Sequence, residues 1–167
     1  MDALARIDRY VGDLIEALHV SDASPAYVVV TSDHGCLPVS RQLNPNTVFR
    51  REGLLSTDVR GRIISWRAVF HSSGGSGFVY MKDAHDADVR RRVARALEAM
   101  RADPSSGVET VWTAEDIMRL GGPPDATFGL NMRPGFYTGN DTRVAMVRTF
   151  DPADASSGLR GGHALLS

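Results

Sequence analysis

The sequence predicts an α/β layered fold, and two neighbouring stretches near its start carry the prediction. Residues 3–18 place Leu4, Ile7, Val11, Leu14, Ile15 and Leu18 on one stripe at helical spacing, with Arg6, Asp8, Arg9, Asp13 and Glu16 largely elsewhere. After the loop HVSDASP, Tyr27 to Thr31 is apolar and β-branched without alternation. That is the pattern of a strand covered on both faces, as in a parallel sheet. A helix, a short loop and such a strand belong to a layered α/β domain. The 167 residues, 43% apolar and 23% charged, suffice for one domain with a sizeable core.

The remaining elements follow in order. LNPNTVFRREG, residues 43–53, predicts a short helix that Asn44 or Asn46 caps and Gly53 ends. Ile63 to Phe70 predicts a strand, HSSGGSG a flexible turn, and GFVYMK, residues 77–82, a second strand. Residues 86–102 predict a helix with Val89, Val93, Ala96, Leu97 and Met100 inward and its arginines on a solvated face. Val108 to Trp112 predicts a short strand. Thr113-Ala-Glu-Asp116 has the spacing of a capping box, and the helix it opens stops at Gly121-Gly122-Pro123-Pro124. Ala126 to Met132 and Arg143 to Phe150 predict two more strands with MRPGFYTGN as a loop between them. The last segment is irregular as far as His163. No internal repeat and no dividing linker is present.

Charge and composition exclude several functions. A formal net charge of −1 gives no electrostatic basis for binding nucleic acid or an anionic membrane. The longest apolar run, Ala26 to Val30, is far too short to span a bilayer. The stretch MDALARIDRYVGDL mixes both charge signs and has no secretory apolar core. A single cysteine, Cys36, excludes an intrachain disulfide and a cysteine-cluster metal site, and leaves the compartment open.

The chemistry concentrates at TSDHG, residues 31–35. In an open parallel sheet, ligands bind beyond the carboxyl ends of the strands, where Asp33 and His34 would sit. Neighbouring side chains on a strand point to opposite faces, so both reach one ion only if the backbone turns there; Gly35 allows that. Carboxylate oxygen and imidazole nitrogen are both good zinc ligands, although a catalytic zinc usually keeps three protein ligands. The plain alternative is that Asp33 caps a turn and His34 packs as a neutral, hydrogen-bonded histidine. Elsewhere, His71 with Gly74, Gly75 and Gly77 could approach a phosphate, but a hairpin turn is the simpler account. His85 reads as a surface residue and Cys36 as a small buried side chain. Phe136 and Tyr137 suit either a substrate pocket or the core.

AYVVVTSDHGCLPV followed by LNPNTVFRREGLL, then GGSGFVYMKD, LGGPPDATFGLNMRPGFYTG and a closing Gly-Gly-His, resembles the alkaline phosphatase superfamily. Within it, the chain is most similar to the type I phosphodiesterase/nucleotide pyrophosphatase family. Ser-Asp-His-Gly alone is shared with sulfatases and cofactor-independent phosphoglycerate mutases; the NPN and PGF segments favour the phosphodiesterase branch. The resemblance implies a partial alkaline-phosphatase-like layered fold, with a mostly parallel central sheet and helices on its faces. Residues 1–167 would then form a single incomplete domain, the C-terminal portion of a catalytic domain. It further implies two divalent metal ions, zinc by preference, with Asp33 and His34 holding the first and His163 the second. The implied substrate is a small phosphate ester or nucleotide.

This chain departs from the family pattern in three respects. Ala164 follows His163 where the family usually has glycine. No Asp-x-x-x-His occurs, although a metal-binding pair of that form normally precedes a helix like residues 3–18. The Thr or Ser nucleophile of relatives lies upstream of Ser-Asp-His-Gly, so no catalytic nucleophile is assigned here; Thr31 and Ser32 belong to the motif's own strand end. The expected function is a metal-dependent phosphoric ester hydrolase of which this chain carries part of the dinuclear site. The alternatives are a non-catalytic α/β module that binds an anion or a partner chain, and a sulfatase or phosphomutase relative. A sheet without its neighbours would expose apolar faces and give poor solubility.

Overall fold

A computed structural model describes residues 2–18, 27–151 and 161–164. The chain divides into two compact units, Met1–His34 and Gly35–Ser167.

In the first unit the amphipathic pattern makes helix α1, Asp2–Ala17, as its spacing predicts. Most of the apolar stripe is uncovered: Leu4, Ile7, Leu14, Ile15 and Leu18 are exposed, and Val11 is half-buried. The expected strand at Tyr27–Thr31 is not formed. Those residues make no strand pairing, and Tyr27 and Val29 are 101% and 82% exposed. β-Branched residues favour extended backbone, but a strand needs a neighbour to take its hydrogen bonds. None is present among the described residues of this unit.

The second unit holds the core. Its largest sheet has four antiparallel strands in the order β5-β6-β8-β7, formed by Ala68–Ser72, Ser76–Met81, Phe128–Met132 and Val108–Thr113. Phe70 lies opposite Val79, and Val79 opposite Phe128, so one face carries Ala68, Phe70, Val79, Met81, Leu130 and Met132 into the core. Helix α3, Ala87–Ala102, packs there with Val89, Val93, Ala96, Leu97 and Met100, the five positions its spacing predicts. The Asp86 carboxylate caps it by accepting from Val89 N–H at 3.0 Å. Helix α4, Ala114–Arg119, opens with the predicted capping box of Thr113 and Asp116.

The other elements are short. Helix α2, Pro45–Arg51, starts at Asn44 and reverses at Gly53, where φ is +64°. The stretch predicted as one strand over Ile63–Phe70 splits at Arg67 into β4, Ile63–Trp66, and β5; β4 pairs with β3, Leu55–Thr57. Arg41–Leu43, β2, lies between β10, Val147–Thr149, and β9, Phe136–Thr138. β1, Leu37–Pro38, pairs with β11, Gly161–Gly162. The predicted mostly parallel central sheet is therefore absent among the described residues. The one parallel pairing there is β2 with β9. For β5 and β6 connection length is the cause: a turn of three residues joins them, and only an antiparallel pair can be closed that tightly. β9, expected as loop, is a strand because β2 lies beside it and not because of any pattern of its own.

Candidate functional site

The Ser-Asp-His motif forms a bend stabilised by its own side chains. Ser32 Oγ donates to the His34 carbonyl at 2.8 Å, and His34 N–H donates to Asp33 Oδ1 at 2.9 Å. These bonds turn the chain so that neighbouring side chains share one side. His34 Nε2 lies 3.2 Å from Asp33 Oδ2, with the carboxylate 83% exposed and the imidazole 46%. Strand alternation would have separated them. A carboxylate oxygen and an imidazole nitrogen this close are a fitting donor pair for zinc, one short of the usual three. The Ser32 hydroxyl is engaged with a carbonyl, which suits a backbone brace and not a nucleophile.

His163 belongs to the second unit and is exposed at the end of β11. Its carbonyl accepts from Gly75 N–H at 2.6 Å. The structure thus brings Asp33 and His34 together, while His163 lies in the other unit. Among the described residues no group of three or more His, Cys, Asp and Glu side chains is placed to hold a metal ion.

The secondary candidates resolve on burial and contacts. Cys36 is exposed and not buried as its size suggests. His71 stands on β5 with its ring edge-to-face against Tyr80, centroids 5.5 Å apart. The Gly74–Gly75 turn closes the β5–β6 hairpin, and its Gly75 amide is taken by His163, so that amide does not wait for a phosphate. His85 is exposed on the turn before α3. Phe136 is core: it is 8% exposed and lies under Gly107, where a Cβ would meet the ring at 2.2 Å. Tyr137 is half-buried against Gly162, where a Cβ would come within 3.1 Å of its ring.

Sequence reasoning missed the amide side chains that hold the second unit's edge. Asn46 Nδ2 donates to the Phe70 carbonyl at 2.9 Å, and Phe70 N–H donates back to Asn46 Oδ1 at 2.8 Å. Asn140 Oδ1 accepts from Ser72 N–H at 2.8 Å. The signal for Asn46 was the NPN string, which reads locally as a helix start.

A family profile described as type I phosphodiesterase / nucleotide pyrophosphatase matches residues 1–134, which include Asp33 and His34 and stop short of His163. Neither the curated proteins nor the solved structures offer a match. The profile covers well over half of the chain, including the Asp33–His34 bend, and the chain belongs to the type I phosphodiesterase / nucleotide pyrophosphatase family.

Proposed function

We propose that this chain is part of a metal-dependent phosphoric ester hydrolase acting on a small phosphodiester or nucleotide. Asp33 and His34 are ligands to one divalent cation and His163 to a second, zinc in both cases. The observation that carries the reading is the convergence of the Asp33 carboxylate and the His34 imidazole at 3.2 Å.

A divalent cation held here supplies positive charge to phosphoryl oxygens and lowers the pKa of a hydroxyl. The chain's own contribution is binding and orientation. The Ser32 and Asp33 bonds hold the bend, and Asp33 and His34 offer two donors from one side of it. The reading places the Thr or Ser nucleophile and an Asp-x-x-x-His pair elsewhere in the protein, which makes residues 1–167 a portion of a larger catalytic domain. The absence of both features from these residues also favours a second reading, a non-catalytic anion- or partner-binding module. Codons for both in the flanking reading frame would decide for the enzyme.

The test is hydrolysis of bis(p-nitrophenyl) phosphate together with elemental analysis, in the protein that carries the nucleophile. Asp33→Ala and His34→Ala should each lower turnover by about 10³-fold or more and reduce bound zinc. Turnover and zinc content that match the parent in both variants would overturn the reading. Preference for a sulfate ester over the diester would move the assignment to the sulfatase branch.

A further inference from the structure

We infer that the Gly74–Gly75 turn and the left-handed backbone of Ala164 together form a clamp that positions His163. The inference rests on the metal-ligand reading of His163 given above.

The clamp acts on the main chain. Gly75 N–H donates to the His163 carbonyl at 2.6 Å. Gly74 has φ +106°, and a Cβ there would stand 2.7 Å from that same carbonyl oxygen. Turn geometry alone explains a glycine at 74; the approach of His163 requires it a second time. The turn is itself braced from behind. Thr138 N–H donates to the Gly74 carbonyl at 2.7 Å, and Met132 N–H donates to the Gly75 carbonyl at 2.9 Å. The fully buried Thr138 Oγ1 lies 2.9 Å from both the Gly74 and Ser76 carbonyls, its one proton serving them in turn.

His163 is fixed on both flanks. Before it, Gly162 pairs with Leu37, and a Cβ at 162 would meet Val39 at 3.0 Å and Tyr137 at 3.1 Å. After it, Ala164 has φ +60°, the one positive φ outside glycine among the described residues. An L-residue persists in that conformation where its surroundings over-determine it, and such outliers gather at functional sites. A carbonyl bond at 163, a strand pairing at 162 and a reversal at 164 constrain the main chain at three successive residues. A fixed main chain gives the imidazole a constant base, and ligand placement sets metal affinity.

The experiment is a zinc chloride titration of the 15N-labelled protein that also carries the nucleophile and the Asp-x-x-x-His pair, following the His163 ring signals. In the unsubstituted protein zinc should shift them. Gly74→Ala should weaken that response by about tenfold or more. Gly121→Ala is the control for backbone strain: its φ is +74°, nothing lies within 4 Å of an added Cβ, and the zinc response should be unchanged. An unaltered response in Gly74→Ala would overturn the clamp while leaving His163 as a ligand. No response in the unsubstituted protein would overturn His163 as a ligand, and the clamp's role with it. If Gly74→Ala does not fold, exchange of the Gly75 amide in the unsubstituted chain decides, slow exchange supporting the clamp and exchange at the unprotected rate refuting it.

Discussion

Asn46 carries a primary amide that matches a peptide group in donors and acceptors, and the second unit uses it as one. β5 is an edge strand, and its outward groups need partners. Ala68 N–H finds the Leu54 carbonyl at 3.2 Å, Phe70 is met on both N–H and carbonyl by Asn46, and Ser72 N–H finds Asn140. Asn46 is 1% exposed, so its removal leaves two buried backbone groups without partners. Asn46→Leu should therefore lower stability by about 2–4 kcal/mol, read as a shift in the urea midpoint. Asn46→Asp, which keeps the acceptor but buries a carboxylate against the Phe70 carbonyl, should cost at least as much at neutral pH. A second residue tests backbone strain. Replacing alanine by glycine normally destabilises by about 0.5–1 kcal/mol, but at Ala164 the relief of a left-handed φ should cancel that loss or reverse it. At this scale the sequence was legible where a side chain acts on its neighbours, as in the Thr113–Asp116 capping box. It was not legible for Asn46, whose partner lies 24 positions away.

Helices α3 and α4 form as their spacing predicts because a helix satisfies its own backbone and needs only a face to bury. Their ends are where charge enters. The Asp86 carboxyl is held below its ordinary value of 3.8, first by the Val89 N–H and then by Arg67. Asp116 is held down by the Thr113 N–H and hydroxyl, and Glu98 by Arg101. These folded values lie below the unfolded ones. The stability they give is therefore present above about pH 4 and drains as pH falls through the folded values. Melts followed by circular dichroism should show the midpoint beginning to fall below about pH 4. Asp86→Asn retains a competent cap without the charge, so its acid decline should be shallower. An identical decline in the variant would show that this carboxylate has no part in it. Strands were legible only in part, because a strand is completed by something outside itself. Phe136–Thr138 gains one from Arg41–Leu43, whereas Tyr27–Thr31 has the composition of a strand and no neighbour among the described residues of its unit.

At the scale of the whole chain, the fully buried residues among those described all lie in one of the two units. Every core residue from Val39 to Phe136 belongs to Gly35–Ser167, and the apolar stripe of α1 is exposed apart from half-buried Val11. The α/β class and the composition of the core were readable in the sequence. The sheet order was not, since pairing is a relation between segments that no one segment encodes. A core held by one unit predicts that residues 35–167 fold alone. Their melting temperature should lie within about 2 °C of the full chain's, equivalent to less than about 1 kcal/mol. A fall of about 10 °C would show that the first unit contributes to the fold. The exposed apolar residues should govern association instead, since patches of this kind drive contact between molecules. In sedimentation velocity the full chain should self-associate at concentrations where residues 35–167 remain monomeric. Leu14→Glu with Val29→Lys should restore the monomer in the full chain without moving its melting temperature, because both side chains stand in solvent and neither belongs to the core.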